Sequence, residues 1–151
     1  MSVILERVGF APDYVNYVES LDMQSRLHAE VAARARQNTI LLLEHEPVIT
    51  AGKRTEDHEY PTDRSTPVVK IDRGGKLTWH GPGQLTGYPI LKLPEPLDVV
   101  AYVRLLEEII MNVLAQLGIK GERVEGRSGV WILGDGITPD KKIAAIGIRV
   151  S

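Results

Sequence analysis

The spacing of apolar positions changes several times along the chain, and each change marks an element. Ser2 to Phe10 has the aliphatic content of a short strand. Asp13 is a suitable N-cap, so a helix is expected from there into the mid-thirties, ended by the polar segment Arg34 to Asn38. Asn38 to Glu44 predicts a compact aliphatic strand, and Pro47 prevents a helix from following directly. Lys53 to Thr66 is charged, lacks a period, contains Pro61 and reads as a surface loop. Pro67 to Asp72 and Lys76 to His80 predict two strands joined as a hairpin through Gly74-Gly75, a dipeptide suited to positive φ. Gly81-Pro82-Gly83 imposes a second turn before a strand from Gln84 to Leu93, which Pro94 and Pro96 terminate. Asp98 then caps a helix whose apolar residues Val99, Val103, Leu106, Ile110, Val113 and Leu117 form one stripe, with Gly118 at its C-terminal stop. Gly129 to Leu133 and Lys142 to Val150 predict two more strands, flanking a loop with Gly134, Gly136 and Pro139.

Strands outnumber helices and do not alternate regularly with them, which points to an α+β fold. The length of 151 residues suits a single domain. With 43% hydrophobic and 25% charged residues the composition is that of a globular protein, which excludes disorder as the main state. The net charge of −2 supplies no basic field for nucleic acid, and no aliphatic run approaches the ~20 residues of a membrane span. Neither nucleic acid nor membrane is therefore expected as a partner, and a cytoplasmic location is the default reading. There is no cysteine, which removes disulfides, thiolate metal sites and thiol nucleophiles from these residues.

Several familiar motifs fail on spacing. His45-Glu46 begins like a zinc-protease helix, but Ile49 stands where the second histidine belongs and Pro47 breaks the helix, so no metal site is expected. Gly81 to Gly87 has one residue too many for a dinucleotide loop, and Lys70 and Leu77 spoil a P-loop around Gly75-Lys76. Gly126-Arg127-Ser128-Gly129 is one residue short of a nucleophile elbow.

The unusual stretch is Arg73-Gly74-Gly75-Lys76-Leu77-Thr78-Trp79-His80-Gly81-Pro82-Gly83-Gln84-Leu85-Thr86-Gly87-Tyr88-Pro89, which holds five glycines and two prolines in seventeen positions. Its glycines permit close approach of backbone to a ligand, while Leu77 and Trp79 could line an apolar slot with a His80 ring nitrogen at its mouth. The plain alternative is a hairpin with tight turns. This run closely resembles the signature of the lipoyl (octanoyl) transferases, the lipoate–protein ligase B type enzymes, in which Arg-Gly-Gly, Thr-aromatic-His and Gly-Pro-Gly-Gln follow in this order. The resemblance extends to Leu42-Leu43-Glu44-His45 with Pro47, to Arg127-Ser128-Gly129-Val130-Trp131, and to Lys142 through Val150.

The resemblance implies an α+β fold shared with biotin protein ligases and lipoate ligases, a mixed sheet with packed helices around an acyl tunnel. It implies octanoyl transfer from octanoyl-acyl carrier protein to a lysine on lipoyl domains of 2-oxoacid dehydrogenases or the glycine-cleavage H-type protein, without ATP or another cofactor. Its acyl-contacting segments match Arg73, Gly74, Gly75, Lys76, Leu77, Thr78, Trp79 and His80, and Ala145, Ile146 and Gly147, with His45 near the same pocket. Its catalytic lysine matches Lys142, where burial in an apolar strand would disfavour the ammonium, while Lys141 faces the other way. Backbone amides at Ala145 to Gly147 would serve a developing oxyanion. A hydrogen-bonded structural role is equally open for His45 and His80, and either role makes them partly buried. The family's nucleophilic cysteine lies beyond the lysine, so residues 1–151 are expected to be the N-terminal and central part of one catalytic domain, unable alone to form the acyl-enzyme. The alternatives are a lipoate or biotin ligase-type enzyme and a non-catalytic acyl- or lipoyl-domain-binding module.

Overall fold

The computed structural model describes residues 2–150. The chain divides into two compact units, one up to Leu93 and one from Pro94 onward. The first contains β1 (Val3–Gly9), α1 (Tyr17–Ala32), β2 (Asn38–Leu43), β3 (Val48–Ala51), a short 3-10 turn (Asp57–Glu59), β4 (Val68–Lys70), β5 (Leu77–His80) and β6 (Thr86–Ile90). The second contains α2 (Val99–Gln116), β7 (Glu122–Val124), β8 (Arg127–Ile132) and β9 (Lys141–Ala144).

In the first unit β2 is central to a mixed sheet, parallel to β1 and antiparallel to β6. Its side chains alternate with the period of two that a half-covered strand requires: Thr39, Leu41 and Leu43 are buried, whereas Asn38, Ile40 and Leu42 are partly exposed. Leu27 and Val31 of α1 close on Leu41 and on Ile90 of β6 to make the core, joined by Val8, Met23 and Tyr88. The helix begins at Tyr17, not after Asp13. Val15 is held extended by bonds between its N–H and Glu44 O (2.9 Å) and between its carbonyl and the Glu46 N–H (3.1 Å), so the first turn forms only after it. Asn16 is the N-cap, its side chain accepting from the N–H groups of Val18 and Glu19.

The expected hairpin is corrected. Its two strands exist as β4 and β5, but they do not pair with each other: β3 lies between them, parallel to β4 and antiparallel to β5. The β-branched run Val48-Ile49-Thr50 makes β3 a buried strand whose backbone needs a partner on both sides. The Arg73 to Lys76 segment accordingly crosses the end of β3 rather than turning back on β4. Its carbonyls accept from Gly52 N (3.3 Å, Lys76 O), Lys53 N (3.0 Å, Arg73 O) and Arg54 N (3.1 Å, Gly75 O). Gly75 takes φ +91°, and a Cβ at Gly52 would stand 2.6 Å from the Gly75 oxygen, so both positions require glycine.

In the second unit α2 starts at the expected cap, Asp98 accepting from Ala101 N at 2.8 Å. It ends in a Schellman motif: Ile119 N donates to Leu114 O (2.9 Å), Gly118 N to Ala115 O (3.0 Å), and Gly118 has φ +74°. The expected stripe is displaced, because Val113 and Leu117 are exposed. Leu114 and Met111 instead approach Val130 of β8 around Gly121, and the one fully buried α2 residue is Glu107. β8 pairs with β7 and β9, both antiparallel. The expected strand from Lys142 to Val150 is shorter: β9 ends at Ala144, opposite Val130, and the chain beyond it is irregular. Among the described residues no helix is long and apolar enough to cross a membrane.

Candidate active site

Four aromatic rings meet in the first unit where β2, β5 and β6 present their ends to the start of α1. Tyr17 lies against His45 (centroids 5.1 Å apart, tilted) and stacks on His80 (6.1 Å, 13° between planes). His45 meets both His80 and Tyr88 edge-on at 5.8 Å. His45 is fully buried and both its nitrogens are occupied: Nδ1 donates to Val15 O (2.9 Å), which leaves Nε2 to accept from the Tyr88 hydroxyl (2.7 Å). Burial lowers its pKa from the ordinary value, against the bond to Val15, and the neighbouring His80 adds to the lowering. Burial likewise pushes the Tyr17 and Tyr88 hydroxyls up.

His80 is half-buried, its pKa lowered by burial and by the Arg73 charge against an opposing bond to Gln84. Its Nδ1 lies 2.7 Å from Gln84 Oε1. The Gly81-Pro82-Gly83 turn that brings Gln84 back closes with Gln84 N donating to Gly81 O (3.1 Å), Pro second and Gly third at φ +84° as a type II turn demands. Glu44 secures it by accepting from Gly83 N at 3.2 Å.

Arg73 ties this end of the sheet together. Its Nη2 donates to the hydroxyls of Thr50 (2.9 Å) and Thr78 (2.8 Å), which face each other across β3 and β5, while Nη1 donates to Gly74 O (2.8 Å). Strand alternation puts Thr78 and His80 on one face of β5 and Leu77 and Trp79 on the other, so the expected slot with His80 at its mouth is not formed by this strand. Trp79 is 46% exposed, its ring lying on Gly81, where a Cβ would collide with the indole. Gly74 is exposed with open space around it. Lys76 is exposed and engaged by Glu59 (2.6 Å), which raises its pKa.

Lys142, in the second unit, stands opposite Trp131 with Nζ 4.8 Å from the ring centroid, and Arg127 covers the same ring at 5.3 Å. Lys141 pairs with Ile132 and so takes the opposite face, as expected. The expected burial of Lys142 is corrected: β9 is an edge strand and Lys142 is exposed on it. Ala145 and Gly147 are exposed and Ile146 half-buried, in irregular chain beyond β9.

Sequence reasoning quoted Gln84 and Tyr88 within the unusual stretch without giving either a role, and did not single out Tyr17, Thr50 or Glu107. Glu107 had a signal, a lone carboxylate three residues before Ile110 on the apolar side of α2. It accepts from Gly129 N (3.1 Å), Arg104 (2.9 Å) and Arg123 (3.0 Å). Burial opposes its ionisation, yet those three bonds hold its carboxyl below the usual range. Gly129, which it anchors, lets β9 approach closely: a Cβ there would collide with the Ala144 carbonyl oxygen. An open cleft of about 370 Å³ with Arg34, Arg36 and Lys92 in its lining lies at the other end of β2, and among the described residues no cluster could hold a metal ion.

The mixed-sheet α+β architecture is the fold of the lipoate protein ligases. The bipartite lipoate protein ligase of an archaeal lipoylation system from Thermoplasma acidophilum superposes with a TM-score of 0.64 at 19% identity, over 95% of this chain and 54% of that one. At sequence level the chain belongs to the lipoyl protein ligase A/B catalytic domain family, whose model matches residues 16–151. It is 63% identical to an octanoyltransferase of Leifsonia xyli subsp. xyli over 97% of this chain and 65% of that protein. It is 57% identical to an octanoyltransferase of Renibacterium salmoninarum over 99% of this chain and 64% of that protein. The chain thus spans a little under two thirds of these relatives.

Proposed function

We propose that the protein acts in octanoyl transfer, moving the acyl group from octanoyl-acyl carrier protein to a lysine amine on a lipoyl domain. The observation that carries this reading is the 63% identity, over nearly the whole chain, to a protein named octanoyltransferase. Its acceptors are lipoyl domains of 2-oxoacid dehydrogenases and the glycine-cleavage H-type protein, and its setting is the cytoplasm. In the overall transfer the thioester C–S bond breaks, an amide C–N bond forms, the amine gives up one proton and the departing thiolate takes one up. Lys142 is the group assigned to proton exchange, and the Ala145 to Gly147 amides to the oxyanion. These residues hold no cysteine, so the acyl-enzyme thiol is assigned to none of them. Arg73 to His80 frame the acyl group; His45, with both nitrogens engaged internally, supports that frame.

Titration of the chain with octanoyl-pantetheine and, separately, with ATP and an octanoyl-adenylate analogue tests the reading. Saturable binding of the pantetheine ester, unaffected by ATP, is expected. Binding of the adenylate alone would replace transferase with ligase, and binding of neither would leave only a module that docks lipoyl domains. In the full-length protein Lys142→Ala should nearly abolish transfer; near-normal turnover removes Lys142 from its role.

A further inference from the structure

We propose that Gln84 is a positioning residue that fixes the tautomer of His80, so that the ring offers a lone pair at Nε2 to the N–H of an incoming primary amine. Two hydrogen bonds of the Gln84 side chain set the tautomer. Gln84 Nε2 donates to the Trp79 carbonyl (3.1 Å), and reversing the amide would set two carbonyl oxygens against each other. The amide orientation therefore places Oε1, an acceptor only, 2.7 Å from His80 Nδ1. Nδ1 must carry the proton, and in the neutral ring Nε2 then has none. Among the described residues of the first unit no hydrogen bond occupies Nε2.

The groups facing the ring favour this neutral form. Tyr17 of α1 stacks on it, buried and with its hydroxyl held protonated, and His45 at the end of β2 meets it edge-on as a second buried imidazole. Arg73 contributes a positive charge that opposes a second proton on His80. Gln84 is uncharged, so unlike a carboxylate partner it orients the ring without drawing it into the imidazolium state. A neutral acceptor in this position suits the N–H of an amine and repels a free carboxylate, which would bring another lone pair to Nε2. Once the incoming ammonium has given up one proton, an amine held through one N–H has its own lone pair directed elsewhere, free to attack a carbonyl. This specifies the acceptor side of the proposed transfer and rests on that reading.

The test is long-range 1H–15N NMR of His80 in the whole chain at neutral pH. The expected pattern is a protonated Nδ1 and an unprotonated Nε2. Gln84→Glu should keep that tautomer, because it keeps the acceptor, while moving the His80 titration to higher pH. Gln84→Ala should convert His80 to a mixture with substantial Nε2–H. Adding Nα-acetyl-lysine methylamide should shift the Nε2 resonance, and Gln84→Ala should weaken that response severalfold. A wild-type ring protonated at Nε2, an unchanged tautomer in Gln84→Ala, or no response to the amine overturns the proposal. Failure of octanoyl transfer would show instead as absent octanoyl-pantetheine binding, with the tautomer pattern intact.

Discussion

Replacing Glu107 by alanine should destabilise the second unit by about 2–4 kcal/mol, and the parts of that figure can be separated. The carboxylate is fully buried and accepts three hydrogen bonds. Its removal leaves the Gly129 N–H without an acceptor, which costs ~1–3 kcal/mol. The two guanidinium partners are 48% and 35% exposed, so both can return to water, and losing them adds only about 1 kcal/mol. The tether to Gly129 therefore outweighs the ion pairs. Glu107→Gln keeps an acceptor for Gly129 and gives up the charge, so it should cost only ~1–2 kcal/mol. Amide hydrogen exchange reads the difference locally: Gly129 should exchange about 10–100 times faster in the alanine variant and much less so in the glutamine variant. Urea unfolding followed by circular dichroism supplies the total. If alanine changes stability by less than about 0.5 kcal/mol, or if glutamine is as damaging as alanine, the tether is not what Glu107 contributes.

Two further outcomes follow from the first unit. Arg73→Ala should cost about 2–4 kcal/mol, since it removes charged donors from Thr50, Thr78 and Gly74 at once, and Arg73→Lys should recover less than half because one ammonium cannot span all three; equal melting temperatures for Lys and wild type would contradict this. His45 and His80 have pKa values lowered from 6.5, so the unfolded chain takes up protons first as pH falls past that value, and stability should decline from about pH 6.5 downward until the folded values are passed. His45→Gln can still donate to Val15 and accept from Tyr88 without titrating, and should flatten the fall in melting temperature between pH 7.5 and 5.5; an unchanged slope would remove His45 from the explanation.

What could be read from the sequence was whatever depends on neighbours along the chain. Asp98, Gly118 and the stripe through Val103 and Ile110 specify α2 locally, and the Pro-Gly order in Gly81 to Gly83 specifies its turn. The α+β class followed from counting such elements. What escaped depends on distant partners. Asp13 and Asn16 are both competent caps, and only the bridge from Val15 to His45 selects the second. Gly74-Gly75 permits a hairpin as readily as a crossing, and the insertion of β3 between β4 and β5 chooses the crossing. The family signature located Arg73, His80 and Gln84, but the partners Thr50 and Tyr17 are ordinary residues in the sequence that acquire their roles only once β3 and α1 converge on that segment. The burial expected for Lys142 failed for a related reason: apolar neighbours in sequence do not cover a side chain on an edge strand.

The placement of the two tryptophans has a practical side. The chain contains only two, Trp79 in the first unit and Trp131 in the second. One lies open beside the Gly81 turn, and the other is flanked by the cations of Arg127 and Lys142. Their emission should differ in colour and quenching, and a Trp→Phe change at either site leaves a single tryptophan, excited selectively over the tyrosines at long wavelength, in the other unit. Unfolding and ligand arrival can then be followed one unit at a time with no label attached.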